Sequence, residues 1–378
     1  MRPLQMVDTK TQYLKIKKEV DEAVIGVMES AQFIGGKVVN DFADNFAAYH
    51  NVKHVITCAN GTDALQIALM ALGLEPGDEV IMPSFTYIAT VEVAALLRLK
   101  PVFVDVDKKT FCINPSEIES AITKSTKAII PVHLYGQAAN MEEIMKIADK
   151  YKIFVIEDNA QAIGNVYTYI NGDKAKTGTI GNIGCTSFYP SKNLGAFGDG
   201  GAITTNDDEL AIKLKMIANH GQNKRYLHEI VGCNSRLDAM QAAILDVKLK
   251  HLDEYTDARR LAASRYDEGF KNNSKITIPY RSDFSKHVFH QYTILLEGVN
   301  RDLLSEHLAE KNIPSMIYYP VPAHRQKMLE SFGGADFHLP VTDWLTERVL
   351  SLPIHTELDE EQQNYIINTV LNYIENQS

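Results

Sequence analysis

No two of the four cysteines stand at CxxC spacing. Cys58, Cys112, Cys185 and Cys233 are scattered, and nothing around them has the spacing of a zinc site. Buried free thiols and no bound metal are expected, as in a reducing cytoplasm. No stretch holds the roughly 18 consecutive apolar residues of a membrane-spanning helix, and the first residues lack the apolar run of a secretory signal. A cytoplasmic protein with no membrane partner is the expectation. Positive charge is not in excess either, since the formal charge is −10. That argues against a nucleic-acid partner, because neutralising phosphates needs a basic surface. A small anionic ligand at a locally basic site stays open.

What is present is the composition of an ordinary globular protein, 45% hydrophobic and 23% charged over 378 residues. That length supports two domains. Val20, Ala23, Val24, Val27 and Met28 form an apolar stripe that predicts a helix over 13–30. Strand and helix patterns then alternate. Strands are predicted at 54–58, 79–82, 102–106, 127–132, 153–157, 185–188 and 202–205, and helices at 62–72, 87–97 and 141–150. Such alternation predicts an α/β fold, a largely parallel sheet with helices on both faces and ligands at the carboxyl ends of its strands. Asn171-Gly172 predicts a hairpin tip. A helix is expected to start at Asn234, with Leu237, Met240, Ile244 and Val247 facing the core. From about residue 270 short strands and helices predict a smaller α+β region ending in a helix with the stripe Ile366, Ile367, Val370 and Ile374. The expected division is 1–250 and 251–378.

The chemistry gathers at predicted strand ends. "ANGTDALQIAL" leaves a strand through Gly61 and Thr62 into a helix, whose first turn has unpaired N–H groups suited to a phosphate; an ordinary N-cap explains it equally well. Tyr87 at the next exit is a core residue or a ring that stacks on a flat cofactor. "VIEDNAQAIG" carries Glu157-Asp158 to the end of an apolar strand, where a carboxylate needs a partner. A protonated ring nitrogen would serve, as would a helix cap or an ion pair. Lys192 lies in "SFYPSKNLGAFGDGGA", among glycines and aromatics. Burial there would keep its amine neutral part of the time, as reaction with an aldehyde requires. Phosphate cradle, stacking ring, strand-end aspartate and buried lysine are together what pyridoxal phosphate (PLP) needs.

These segments, with "GDEVIMPSFTYIAT", "TKAIIPVHLYGQ" and "GCNSRLDAMQAAIL", resemble the DegT/StrS family of PLP-dependent nucleotide-sugar aminotransferases over nearly the whole chain. The resemblance implies fold type I, the aspartate aminotransferase-like fold, with a mostly parallel seven-stranded sheet in the large domain and a smaller α+β C-terminal domain. It implies that Lys192 bonds the cofactor and serves as catalytic acid and base. Asp158 would pair the pyridine nitrogen, Gln161 face the ring's phenolic oxygen, and Tyr87 stack on the ring. Gly61, Thr62 and Ser187 would bind phosphate, and Asn234 would reach that phosphate from the partner subunit of a homodimer with shared sites. Phe33, Ser191, Arg236, Tyr318 and Tyr319 match substrate contacts, although a core position suits Phe33 equally and an ion pair with Asp238 would explain Arg236.

"NSRLD" (234–238) resembles the subgroup that aminates 3-keto sugars. The longer stretch "NHGQNKRYLHEIVGCNSRLD" looks most like enzymes acting on UDP-2-acetamido-2-deoxy-3-oxo-glucuronate for bacterial surface polysaccharide, the O-antigen of lipopolysaccharide, with glutamate as donor and 2-oxoglutarate as its product. There the arginine matching Arg236 would take the sugar carboxylate in a forked pair of hydrogen bonds. One departure stands out: relatives read His-Tyr-Pro-x-Pro, whereas this chain has Tyr318-Tyr319-Pro320-Val321-Pro322. Rival readings are a dTDP-3-oxo-6-deoxyhexose aminotransferase, which shares NSRLD, a PLP-dependent sugar dehydratase, which has histidine at Lys192, and a non-catalytic regulator.

Overall fold

The computed structural model describes residues 2–376. Its centre is a seven-stranded sheet. In spatial order the strands are His54–Cys58, Gly201–Thr205, Ile183–Ser187, Phe154–Asp158, Thr126–Ile129, Glu79–Pro83 and Lys100–Val104. Only Gly201–Thr205 runs against both neighbours; the other pairings in the sheet are parallel. The fold class read from the sequence is therefore correct. Alternation along the strands explains the layers. Val80, Met82 and Ile156 face one apolar core, while Ile81, Ile129 and Val155 face another. Helices Gly61–Ala71, Ala89–Leu96 and Asp208–Ala218 cover the first face, and Pro115–Ala121 and Met141–Tyr151 the second. With both faces buried, the carboxyl edge of the sheet is left for a ligand.

A second, three-stranded antiparallel sheet joins Ile276–Thr277, Tyr292–Leu296 and Val349–Leu352. It packs with helices Leu252–Phe270, Arg301–Glu310 and Glu360–Glu375 around a core that includes Tyr266, Phe270, Ile366 and Val370. No helix among the described residues is long and apolar enough to cross a membrane. All four cysteines are free, and Cys233 is only partly buried.

Several elements differ from expectation. The 13–30 helix is two helices, Thr9–Lys15 and Lys17–Ser30, and Met28 on its stripe is exposed. A helix at Lys37–His50 has no counterpart in the sequence reading, although Val39, Phe42 and Phe46 are buried at helical spacing. Asn234 does not start a helix; Ala239 does, after Asp238. Residues 234–238 are non-helical, with Ser235 and Leu237 buried and Asn234, Arg236 and Asp238 exposed. Met240 is consequently exposed while Ile244 and Val247 are buried.

Candidate active site

The strand His54–Cys58 leads to Asn60, whose side chain caps the next helix by accepting from Asp63 N at 2.8 Å. With Asn60 as the cap, Gly61 and Thr62 are left in the first turn with their N–H groups pointing out of the helix. Across from them the strand Ile183–Ser187 ends. A Cβ at Gly61 would lie 2.6 Å from the Ser187 Cβ, and one at Gly201 would lie 2.4 Å from the Asn60 carbonyl. Only glycines let these three strand ends converge. The result is a concave group of N–H and hydroxyl donors at a helix N-terminus, the shape and charge that hold a phosphate.

Asp158 closes the strand Phe154–Asp158 and is buried. Its Oδ2 accepts from Thr90 Oγ1 at 2.7 Å and its Oδ1 from Ala160 N at 3.1 Å. Its neighbour Glu157 faces the other way and is fully buried. Glu157 accepts from Gly178 N at 2.7 Å, Ile180 N at 2.6 Å and Gly181 N at 2.6 Å, and contacts His133 Nε2 at 2.8 Å. The two adjacent acids thus separate by role: Glu157 ties a loop to the strand, and Asp158 is the one left at the carboxyl edge.

Gln161 is fixed at both ends. Its Oε1 accepts from Tyr135 N at 2.8 Å, and its Nε2 donates to the Tyr319 hydroxyl at 3.0 Å. Because a backbone N–H can only donate, the amide orientation follows. Tyr135 reaches this geometry with φ of +58°, and its hydroxyl donates to the Tyr318 carbonyl. Tyr318 and Tyr319 are thereby docked onto the large sheet. Burial raises both of their hydroxyl pKa values. Tyr87 is 56% exposed, which rules out a core role, and its ring stands 6.1 Å from that of Tyr319.

Lys192 sits in the turn after Ile183–Ser187, its N–H bonded to the Tyr189 carbonyl at 2.8 Å. Burial of the amine lowers its pKa to about 8, against the opposing pull of the Asp158 carboxylate. Among the described residues Nζ has no hydrogen-bond or ion-pair partner. A partly neutral, unpartnered amine, an anchored carboxylate, an exposed ring and an anion cradle meet at one sheet edge. These features fit PLP: the cradle matches its phosphate, Asp158 its ring nitrogen and Lys192 its aldehyde.

The expected substrate residues differ in their surroundings. Ser191 directly precedes Lys192. Phe33 is 48% exposed, so it is not core, and its carbonyl accepts from Ala239 N at 2.9 Å beside the 234–238 segment. Arg236 is exposed and, among the described residues, has no ion pair with Asp238 or any other acid. Asn234 is exposed and forms an isolated bridge with Asn219. Tyr319 bonds Gln161. Thr90 and Tyr135 were missed by the sequence reading. Thr90 follows Tyr87 by three residues, a helical step that could have flagged it; the contact of Tyr135 depends on a left-handed backbone that no local pattern announces.

Residues 14–371 match the DegT/DnrJ/EryC1/StrS aminotransferase family. A pleiotropic regulatory protein of Geobacillus stearothermophilus is 46% identical over 97% of this chain and 98% of its own. A UDP-2-acetamido-2-deoxy-3-oxo-D-glucuronate aminotransferase of Pseudomonas aeruginosa is 45% identical over 94% and 96%. A dTDP-3-amino-3,6-dideoxy-alpha-D-galactopyranose transaminase of Aneurinibacillus thermoaerophilus is 42% identical over 98% and 99%. Among solved structures, NtdA of Bacillus subtilis with bound cofactor PMP superposes with a TM-score of 0.88 at 34% identity, covering 96% of this chain and 82% of that one. The chain belongs to the DegT/DnrJ/EryC1/StrS aminotransferase family and is a sugar aminotransferase that works with pyridoxal phosphate.

Proposed function

We propose that the enzyme transfers an amino group from glutamate to C3 of a 3-keto nucleotide sugar, and that this sugar is UDP-2-acetamido-2-deoxy-3-oxo-glucuronate. Its product would serve bacterial surface polysaccharide assembly, such as the O-antigen of lipopolysaccharide, in the cytoplasm. The observation that carries the sugar assignment is the exposed guanidinium of Arg236, which stands beside Asn234 and has no partner among the described residues. A sugar carboxylate would supply the acceptor that it lacks.

The bound cofactor supplies an electron sink and carries the amino group between donor and acceptor. The chain's residues do the rest. Gly61, Thr62 and Ser187 would hold the phosphate, and Asp158 would keep the ring nitrogen protonated. Gln161, with one amide proton given to Tyr319, has a second that would serve the ring's phenolic oxygen. Tyr87 would stack on the ring. Lys192 Nζ takes a proton from one carbon and returns it to the other, which a pKa near neutrality allows. Ser191, Phe33, Tyr318 and Tyr319 border the space for the sugar.

We also propose a homodimer in which Asn234 completes the partner's phosphate site. Ile25, Met28, Phe33, Ile34 and Phe197 are 40–53% exposed along the N-terminal helices and the Lys192 turn, an apolar surface of the kind a partner covers. Mixing Lys192→Ala with Asn234→Ala subunits should restore some activity, since one site of each mixed dimer is then intact. Full exchange without recovery would count against sharing.

The decisive assay couples glutamate to a panel of 3-keto sugars linked to UDP and dTDP. Preference for the UDP-uronate supports the reading. Preference for a dTDP-6-deoxy sugar would favour the alternative, with which the 42% identity to the Aneurinibacillus enzyme agrees.

A further inference from the structure

A fully buried lysine stands behind the active-site turn. Lys248 lies in the last turn of helix Ala239–Leu249 and is 1% exposed. Among the described residues no carboxylate lies within ion-pair distance of it. Burial and the nearby Arg259 charge lower its pKa to about 7. An amine in such a place costs stability, and a methionine of similar length would not. The position at a helix C-terminus, where a positive charge is favoured, offsets part of that cost.

Among the described residues the amine has one hydrogen-bond acceptor. Lys248 Nζ donates to the Gly195 carbonyl, three residues after Lys192, and stands 5.4 Å from the Phe197 ring centroid. Two helical turns earlier on the same face, Gln241 Oε1 accepts from Phe197 N at 2.8 Å. One helix therefore grips the turn at two points, through an acceptor and a donor that match the turn's own groups. The turn has little freedom otherwise. A Cβ at Gly195 would sit 2.3 Å from the Pro190 carbonyl, Ala196 N donates to Phe188 O at 2.8 Å, and Asn193 Nδ2 donates to Val288 O at 2.9 Å.

We propose that Lys248, assisted by Gln241, is a positioning residue for Lys192: it fixes the 192–197 turn from behind through the Gly195 carbonyl. The inference rests on the reading that Lys192 bonds the cofactor. Lys248 touches neither cofactor nor substrate; it sets where the Lys192 amine stands. Misplacing a reacting group by about 1 Å can cost on the order of a hundredfold in rate, and a loosened turn should cost somewhat less.

The test uses full-length holoenzyme with Lys248→Met and Gln241→Leu. Expected for Lys248→Met is a kcat about tenfold lower with the KM for the sugar unchanged, and a weaker visible circular-dichroism band from the bound cofactor, which reports how rigidly the ring is held. Gln241→Leu should show the same pattern more weakly, and it carries the test alone if Lys248→Met does not fold. Unchanged kcat and an unchanged band in the folded variants, whatever their melting temperatures, would overturn the proposal. Borohydride reduction of the wild-type enzyme and peptide mass mapping test the underlying reading separately. A pyridoxyl label on Lys192 supports it, and a label on another lysine removes it and the proposal with it.

Discussion

Thr90 gives its only hydroxyl proton to Asp158, Oγ1 to Oδ2 at 2.7 Å. The same oxygen lies 3.1 Å from Thr86 Oγ1. With the Thr90 proton committed to the carboxylate, Thr86 must be the donor to Thr90. Two threonines four residues apart, Thr86 in the bend before helix Ala89–Leu96 and Thr90 in its first turn, thus form a relay that ends on the carboxylate assigned to the ring nitrogen. This contact holds the Asp158 carboxylate in its orientation at the sheet edge.

Thr90→Val keeps the shape of the side chain and removes the donor. Hydrogen bonds to charged groups contribute about 1.5–3 kcal/mol, so the cofactor dissociation constant should rise on the order of tenfold to a hundredfold. Thr86→Val, one step further back, should cost less. Titration of cofactor-free protein with PLP, followed by absorbance, measures both. Equal affinity in wild type and Thr90→Val would mean that Asp158 needs no support from this side.

The legible part of this fold was what period and position encode. β-branched runs alternating with helical stripes specified the sheet, and strand ends specified where chemistry would lie. Met28 and Met240 went astray because a stripe records apolarity, and these residues are apolar yet exposed. Asn234 was misplaced because its segment alternates with period two while the helix begins five residues later. Within the candidate site, Lys192, Asp158 and Gly61 stand out in the sequence because their residue types are costly or unusual where they stand. The grip on Gln161 was not, because Tyr135, Gln161 and Tyr319 are distant in sequence and meet only through tertiary structure.

Glu157→Gln tests the division of labour between the adjacent acids. Three backbone N–H groups end on the Glu157 carboxylate. His133 Nδ1 accepts from Ala139 N at 3.1 Å, so its Nε2 carries the proton and is a fourth donor. An amide NH2 in that place must face at least one donor, leaving it unsatisfied. A loss of about 2–3 kcal/mol is expected, read by urea denaturation. A variant as stable as wild type would show that the loop at 178–181 does not depend on this carboxylate.

The Lys192 amine should leave a signature in the stability of cofactor-free protein. Burial lowers its pKa from 10.5 to about 8. Below pH 8 both folded and unfolded chains hold the proton, and the full cost of burying the charge is paid. Between about pH 8 and 10.5 the folded amine is neutral while the unfolded one is still protonated. The unfolded state then binds more protons, so this residue's contribution to stability rises with pH across that window. Comparing wild type with Lys192→Met cancels the other titrating groups. Urea denaturation at pH 7, 8.5 and 10 should show wild type gaining on the variant as pH rises. Parallel curves would mean that the amine is solvated in the folded protein.

Arg236 offers the sharpest test of substrate. Ser235 and Leu237 are buried on either side of it, so the alternation of the 234–238 segment turns Arg236 outward with Asn234. If its guanidinium takes a sugar carboxylate, Arg236→Ala should lose efficiency selectively with the UDP-uronate. A charge-assisted pair contributes roughly 1.5–3 kcal/mol, and about 1.4 kcal/mol is tenfold in kcat/KM. The ratio of efficiencies for the uronate over a 6-deoxy sugar should therefore fall on the order of tenfold to a hundredfold. Arg236→Lys should recover only part of this, because lysine keeps the charge and loses the fork. Tyr318→His, which installs the relatives' residue, should be tolerated, since the tie to Tyr135 runs through the Tyr318 carbonyl and not its side chain. Equal losses on both sugars in Arg236→Ala would take the carboxylate role away from this residue and shift the assignment to a dTDP-linked substrate.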